Sequence, residues 1–191
     1  MIYLIMGKSS TGKDTIFEEM LADTSADIRR MVGYTTRPKR SHEMDGREYF
    51  FVSREKMLEL EAQKKVIERR TYHTVHGDWD YFTVDDGSVA DNGRYLYIGT
   101  LDSYVKLRDY YGEEKVRPVY IEVEDGKRLS RALKREMEQE KPKYAELCRR
   151  YLADEADFSE ENLRRCGIRK RYQNNGNLSD CMDEIKKDIC G

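Results

Sequence analysis

The chain has 191 residues, enough to bury one good core, so one compact unit with inserted segments is expected rather than two independent domains. Charged residues make up 38% of it yet leave a net charge of only −2, which argues against a nucleic-acid or membrane-surface binder. No apolar run is long enough to span a membrane, a first strand at Ile2 leaves no room for a leader, and Cys148, Cys166, Cys181 and Cys190 form no C-x-x-C pair, so a cytoplasmic protein with reduced thiols is expected.

In chain order, the apolar run Ile2–Met6 reads as a buried strand and is followed at once by Gly7-Lys8-Ser9-Ser10-Thr11-Gly12-Lys13-Asp14-Thr15. Ile16, Phe17, Met20 and Leu21 then fall on one face of a helix over 13–22. Strand, glycine-bracketed turn and helix together form a phosphate cradle, with backbone N–H groups and the helix N-terminus facing the anion. Lys13 supplies a full charge for the β- and γ-phosphates, so a nucleoside triphosphate is the expected ligand of residues 7–15. Where a Ser or Thr usually follows the lysine and ligates Mg²⁺, this chain has Asp14. Asp14 is either a Mg²⁺ ligand, direct or through water, or only a complement to the helix dipole; Thr15 is assigned to the α-phosphate.

Further on, 95–98, 116–123 and 168–172 read as core strands, and 101–111, 127–140 and 179–190 as helices. Strands separated by helical patterns imply parallel pairing and an α/β three-layer core. Between Val32 and Asp86 the texture changes to short strands at 49–52, 66–68 and 81–84, interrupted by a helix opening at Ser53 and carrying Met57, Leu58 and Leu60. This reads as a small mixed α/β insertion placed where an acceptor could meet the nucleotide. From Glu136 to Phe158 the chain is charged and broken by Pro142. It reads either as a solvated helix or as a lid that brings Arg149 and Arg150 onto the phosphates; the lid is favoured because a reactive phosphoryl group must be kept from water. His73 and His76 lie three apart with no third ligand in view, so no metal is expected there.

The insertion opens with Tyr34-Thr35-Thr36-Arg37-Pro38-Lys39-Arg40-Ser41-His42-Glu43-Met44-Asp45-Gly46-Arg47-Glu48-Tyr49-Phe50-Phe51. Arg37 and Arg40 are planar donor forks suited to a phosphate, and a tyrosine hydroxyl can complete the set. P-loop plus T-T-R-x-x-R-x-x-E-x-x-G-x-x-Y-x-F resembles the guanylate kinase family over nearly the whole chain. The resemblance implies a P-loop core (1–32, 87–135 and 159–191), a nucleoside-monophosphate-binding insertion (33–86) and a helical lid (136–158). It places Arg37, Arg40 and Tyr49 on the acceptor phosphate beside Thr36, and Glu43 and Glu68 on the guanine edge, where carboxylates accept from N1–H and the amino group. Tyr81 and Thr83 match the family's Y-G-[ST] turn. Arg131 and Arg135, four apart on one helix face, match its phosphate arginines, with Arg128 and Lys134 as competitors and a solvated helix face as the alternative, and Arg150 is taken over Arg149 as the lid arginine.

The implied reaction is ATP plus GMP to ADP plus GDP with Mg²⁺, in which Lys13, Arg131, Arg135 and Arg150 stabilise the transferring phosphoryl group. One departure stands against guanine specificity: the family's D-x-D strand end is Tyr97-Ile98-Gly99 here, without carboxylates. Two other readings stay open: a kinase of the same fold with another phosphorylated acceptor, and a silent module that binds a phosphorylated peptide.

Overall fold

The computed structural model describes residues 1–74 and 77–190. A parallel sheet runs through its centre in the order β2 (Ile28–Arg30), β7 (Arg94–Ile98), β1 (Ile2–Met6), β8 (Val116–Glu122), β9 (Tyr172–Gln173). Strand β1 is buried at all five positions because it lies in the middle and is covered on both faces. Its side chains alternate accordingly. Ile2, Leu4 and Met6 join Tyr104 and Leu107 of α3 (Leu101–Tyr111) and Leu163 of α6 (Glu160–Arg165) in one core. Tyr3 and Ile5 join Ile16, Phe17 and Met20 of α1 (Lys13–Ala22) and Ile185 and Ile189 of α7 (Leu178–Cys190) in the other. Each fully buried aliphatic side chain contributes roughly 1.5–3 kcal/mol, so the three-layer core rests chiefly on this central strand.

The expected strand at 168–172 is narrower than the sequence pattern suggested. Ile168 is buried, but Arg169 and Lys170 are exposed, and only Ile121↔Tyr172 and Glu122↔Gln173 pair with β8. The helix expected over 127–140 is α4 (Asp125–Met137), which starts earlier because the Glu124 side chain accepts from the Gly126 and Lys127 N–H groups. Beyond Met137 the charged segment holds no regular structure until α5 (Tyr144–Asp157).

The insertion forms its own four-stranded sheet, β4 (Phe50–Phe51), β3 (Tyr34–Thr35), β6 (Gly77–Val84), β5 (Val66–Thr74). Helix α2 (Arg54–Ala62) packs Met57 and Leu60 into a core with Phe82 and Val84, and Ser53 caps it by accepting from the Lys56 N–H. Leu58 faces outward at 51% exposure, so the apolar face of α2 is narrower than the composition implied. Strands β5 and β6 form a long hairpin with a register shift between Val66 and Glu68. That bulge brings Glu68 opposite Thr83.

Candidate active site

The turn after β1 takes the shape that its glycines allow. Gly12 has φ 87°, in the left-handed region, and a Cβ there would lie 2.6 Å from the Asn174 Nδ2. At Gly7 a Cβ would meet the Ile121 carbonyl oxygen at 2.6 Å. Neither position admits a side chain without moving backbone or a buried amide. Thr11 is buried and donates its hydroxyl to the Lys8 carbonyl at 2.9 Å, closing the loop on itself. Lys13, Asp14 and Thr15 then form the first turn of α1; the Lys13 Nζ lies 3.7 Å from an Asp14 oxygen, and the Asp14 side chain is 79% exposed.

Two contacts at this loop were not legible in the sequence. The buried Asn174, just past β9, donates to the Thr11 carbonyl at 2.8 Å, and Arg131 of α4 donates to the Asn174 carbonyl at 3.0 Å. A cleft of about 320 Å³ between α4 and this segment is lined by Ser10, Gly12, Arg131, Arg135, Asn174, Gly176 and Leu178. From the other side, helix α5 presents acids: the Ser9 N–H donates to Asp154 at 2.7 Å, and Lys8 pairs with Glu155 at 2.7 Å. Arg128 is 1% exposed, sits over the Tyr151 ring, and pairs with Asp125, Asp154 and Glu155. The charges in "Arg-Arg-Tyr-Leu-Ala-Asp-Glu" gave no sign of which side they would face.

On the acceptor side, Arg37 and Glu43 form a buried bidentate pair, with both contacts at 2.8 Å. Arg37 also donates to the Tyr81 hydroxyl at 3.0 Å and to the Pro38 carbonyl, so nearly all of its N–H groups are engaged. Glu43 additionally accepts from the Arg40 N–H at 2.7 Å. The guanidinium beside it holds the Glu43 carboxyl down at about 2, and the same pairing raises Arg37. The expectation that Glu43 reads a base edge therefore changes form, because both its oxygens face Arg37 and the turn backbone. Thr36 is likewise committed, its hydroxyl accepting from the Asp80 N–H at 2.9 Å. Tyr49 packs edge-on to Tyr81, and burial pushes its hydroxyl up.

Deeper in, Glu68 is 6% exposed and accepts from the Thr83 hydroxyl at 2.8 Å and from the Arg70 Nε at 3.1 Å. Thr83 also meets the Tyr97 hydroxyl at 3.0 Å, and burial raises Tyr97 to about 12, keeping it a neutral phenol. At Gly99 a Cβ would lie 3.0 Å from the Ser103 Oγ and 3.2 Å from Leu4, so the strand end is closely packed as well as uncharged.

Cationic side chains from several segments converge. One cleft of about 670 Å³ is lined by Ser9, Ser10, Lys13 and Asp14 of the loop, by Arg40 of the acceptor turn, by Arg135 of α4 and by Arg150 of α5. Arg135 donates to the Ser10 hydroxyl at 3.1 Å. Arg150 lies 3.9 Å from Glu136, whereas Arg149 is 66% exposed and paired to Glu146 outside the cleft. His73 pairs with Asp78 at 2.7 Å, and His76 lies outside the described residues. Among the described residues, no group of three or more His, Cys, Asp or Glu side chains could hold a metal, and no helix is long and apolar enough to cross a membrane.

The sequence model of the guanylate kinase family matches residues 1–160. The chain belongs to the guanylate kinase family. Named guanylate kinases from Thermotoga maritima (31% identical over 63% of this chain and 48% of the relative) and Symbiobacterium thermophilum (46% over 48% and 40%) are similar to it. A third, from Mycoplasmoides gallisepticum, is 35% identical over 38% of this chain and 37% of the relative. The aligned segments thus span between a third and a half of these relatives' length. A crystal structure of guanylate kinase from Anaplasma phagocytophilum shares the fold, with TM-score 0.60, 21% identity and coverage of 99% of this chain and 84% of that one. That likeness carries the α/β fold on through the C-terminal helix α7, beyond the residues 1–160 that the family model matches.

Proposed function

We propose that this chain transfers the γ-phosphoryl group of ATP to a nucleoside monophosphate, GMP, giving ADP and GDP. The observation that carries the reading is the single cleft in which loop residues Ser10 and Lys13 meet Arg40, Arg135 and Arg150. Six cations around one space, Lys13, Arg40, Arg135, Lys141, Lys143 and Arg150, suit a reaction between two polyanions, and the guanylate kinases among the relatives support the choice of acceptor.

An oxygen of the GMP phosphate attacks the γ-phosphorus in line. The new P–O bond forms as the bond to the β–γ bridging oxygen breaks, and that oxygen leaves with ADP. No side-chain nucleophile takes part, so catalysis is positioning and charge neutralisation. The loop N–H groups and Lys13 hold the β- and γ-phosphates, with Asn174 fixing the loop from behind. Arg40 and Tyr49 hold the acceptor phosphate, and Arg37, clamped by Glu43 and Tyr81, supports the turn and offers its remaining N–H. Arg135 and Arg150 complete the charge around the transferring group, whereas Arg131, outside that cleft, donates to the Asn174 carbonyl and braces the loop from behind. Thr83 and Glu68 line the base side.

Mg²⁺ fits here as an ion that arrives with ATP. It keeps most of its waters and needs only one or two carboxylates besides the phosphates. Asp14, exposed in the first turn of α1, is the carboxylate that would hold it, and the bound ion would neutralise phosphate charge. Residues 33–86 would act as the acceptor domain and 136–158 as the lid, both closing on the core. The intact Gly7, Gly12 and Lys13 weigh against a silent phosphopeptide module. The test is coupled ADP release from ATP·Mg²⁺ with GMP, AMP, UMP, CMP and IMP as separate acceptors. Turnover with GMP supports the reading, and tight ATP binding without turnover on any acceptor overturns it.

A further inference from the structure

Strand β5 carries Glu68 and Arg70 on one face, two residues apart. The Arg70 Nε and Nη2 lie 3.1 and 3.4 Å from the two Glu68 oxygens, and its Nη1 reaches the Thr100 hydroxyl at 3.5 Å, beside the carboxylate-free strand end at Gly99. Arg70 lines two cavities: one of about 410 Å³ shared with Glu68, Asp102 and Arg165, and one of about 500 Å³ shared with Thr100, Asp102 and Arg165. Burial works against its charge, but the adjoining Glu68 outweighs it and the guanidinium stays protonated. If Glu68 lines the base side, as proposed above, a carboxylate and a guanidinium stand there together.

These groups differ in what they can read. A carboxylate only accepts, and a guanidinium only donates. Two carboxylates would select a run of N–H groups. A carboxylate next to a guanidinium matches an edge on which a ring N–H adjoins a carbonyl. On a purine that is the N1–H and O6 edge; adenine offers an amine and a bare ring nitrogen in the reverse order. With the sugar phosphate anchored at Arg40, the base cannot slide to swap the two. No carboxylate stands at position 99, where even a Cβ crowds Ser103 and Leu4, so the strand end itself offers no second acceptor for a 2-amino group; the carboxylate nearby is Asp102, exposed in the first turn of α3.

We infer that Arg70 is a specificity-determining residue that reads the 6-oxo group of the acceptor, so that this site selects 6-oxopurine monophosphates as a class, GMP and IMP alike. The inference rests on the phosphoryl-transfer reading above. It is tested by steady-state kinetics of the wild type, Arg70→Gln and Arg70→Lys with GMP, IMP, AMP and the 2-aminopurine ribonucleotide, which lacks O6. Arg70→Lys keeps a cation beside buried Glu68, so one variant folds even if the other does not; thermal unfolding checks both. For the wild type, kcat/KM on GMP and IMP should agree within about tenfold, with the other two lower by roughly a hundredfold. Each variant should raise KM for GMP and IMP by about tenfold or more and leave AMP and the 2-aminopurine nucleotide unchanged, flattening the preference. IMP at less than about a hundredth of GMP in the wild type overturns the inference. So does an equal loss on all four acceptors, which would mark the ion pair as structural only. If no acceptor turns over and GMP does not bind in an ATP-free titration, the phosphoryl-transfer reading itself has failed. GMP turnover that is insensitive to Arg70 overturns this inference alone.

Discussion

The two halves of the cleft are built by different means. The donor side is a backbone structure: Gly7 and Gly12 stand where side chains do not fit, Thr11 closes the loop through a main-chain carbonyl, and Asn174 braces it from behind. The acceptor side is a lattice of side-chain pairs, Arg37 with Glu43 and Arg70 with Glu68, set on a small sheet with its own core. A backbone cradle is specified by residue spacing and survives drift in most of its positions. A side-chain lattice can be re-tuned one pair at a time, and that makes it the natural place for a change in acceptor preference.

That contrast can be broken at several points. The largest expected effect on stability is at Glu43. Removing it by Glu43→Ala leaves the buried Arg37 charge unpaired, which should cost about 3–5 kcal/mol in chemical denaturation and raise KM for the acceptor. Acid should act in the same direction. The folded-state pKa of Glu43 lies near 2, below its ordinary value of 4.5. The pair's contribution is therefore whole above about pH 4.5 and lost as pH falls toward about 2. A stability–pH profile for the Ala variant should lack that limb. An unchanged profile would show that the acceptor lattice is not held by this pair.

On the donor side, Lys13→Ala should lower kcat by about 10²–10³, the scale of one lost electrostatic donor, with folding little changed. Near-normal turnover would remove Lys13 from the mechanism. Gly12→Ala forces a side chain into a left-handed conformation at about 1–2 kcal/mol, and the clash with Asn174 should add to it; weaker ATP binding by titration is the expected readout. The smallest expected effect is at Asp14. Asp14→Asn should raise the Mg²⁺ concentration for half-maximal rate by a few-fold while leaving acceptor KM unchanged. No shift in the Mg²⁺ dependence would reduce Asp14 to a partner of the helix dipole.

The same contrast explains what the sequence disclosed. Residues 7–15 were legible because glycine spacing, a preceding apolar strand and a following amphipathic helix constrain one another locally. The alternation of strands and helices likewise indicated the parallel core, since β1 is apolar at all five positions. The lattice was not legible to the same depth. Arg37, Arg40, Glu43 and Tyr49 could be singled out, but nothing local shows that Glu43 turns back onto Arg37 instead of facing outward. Asn174 and Asp154 were missed because each meets the loop from more than a hundred residues away in sequence. For Asn174, the nearest signal was a polar residue at the end of a strand beside the loop, buried where a surface amide would be expected.

The central claim is direct transfer between two nucleotides held in one cleft. It is tested most directly by incubating the protein with ATP labelled at the γ-phosphate, Mg²⁺ and GMP, with the Lys13→Ala variant alongside. The account predicts label in the β-phosphate of GDP, one for each ADP formed, and its near-disappearance in the variant. Label released only as inorganic phosphate, or no transfer despite saturating ATP, would contradict it.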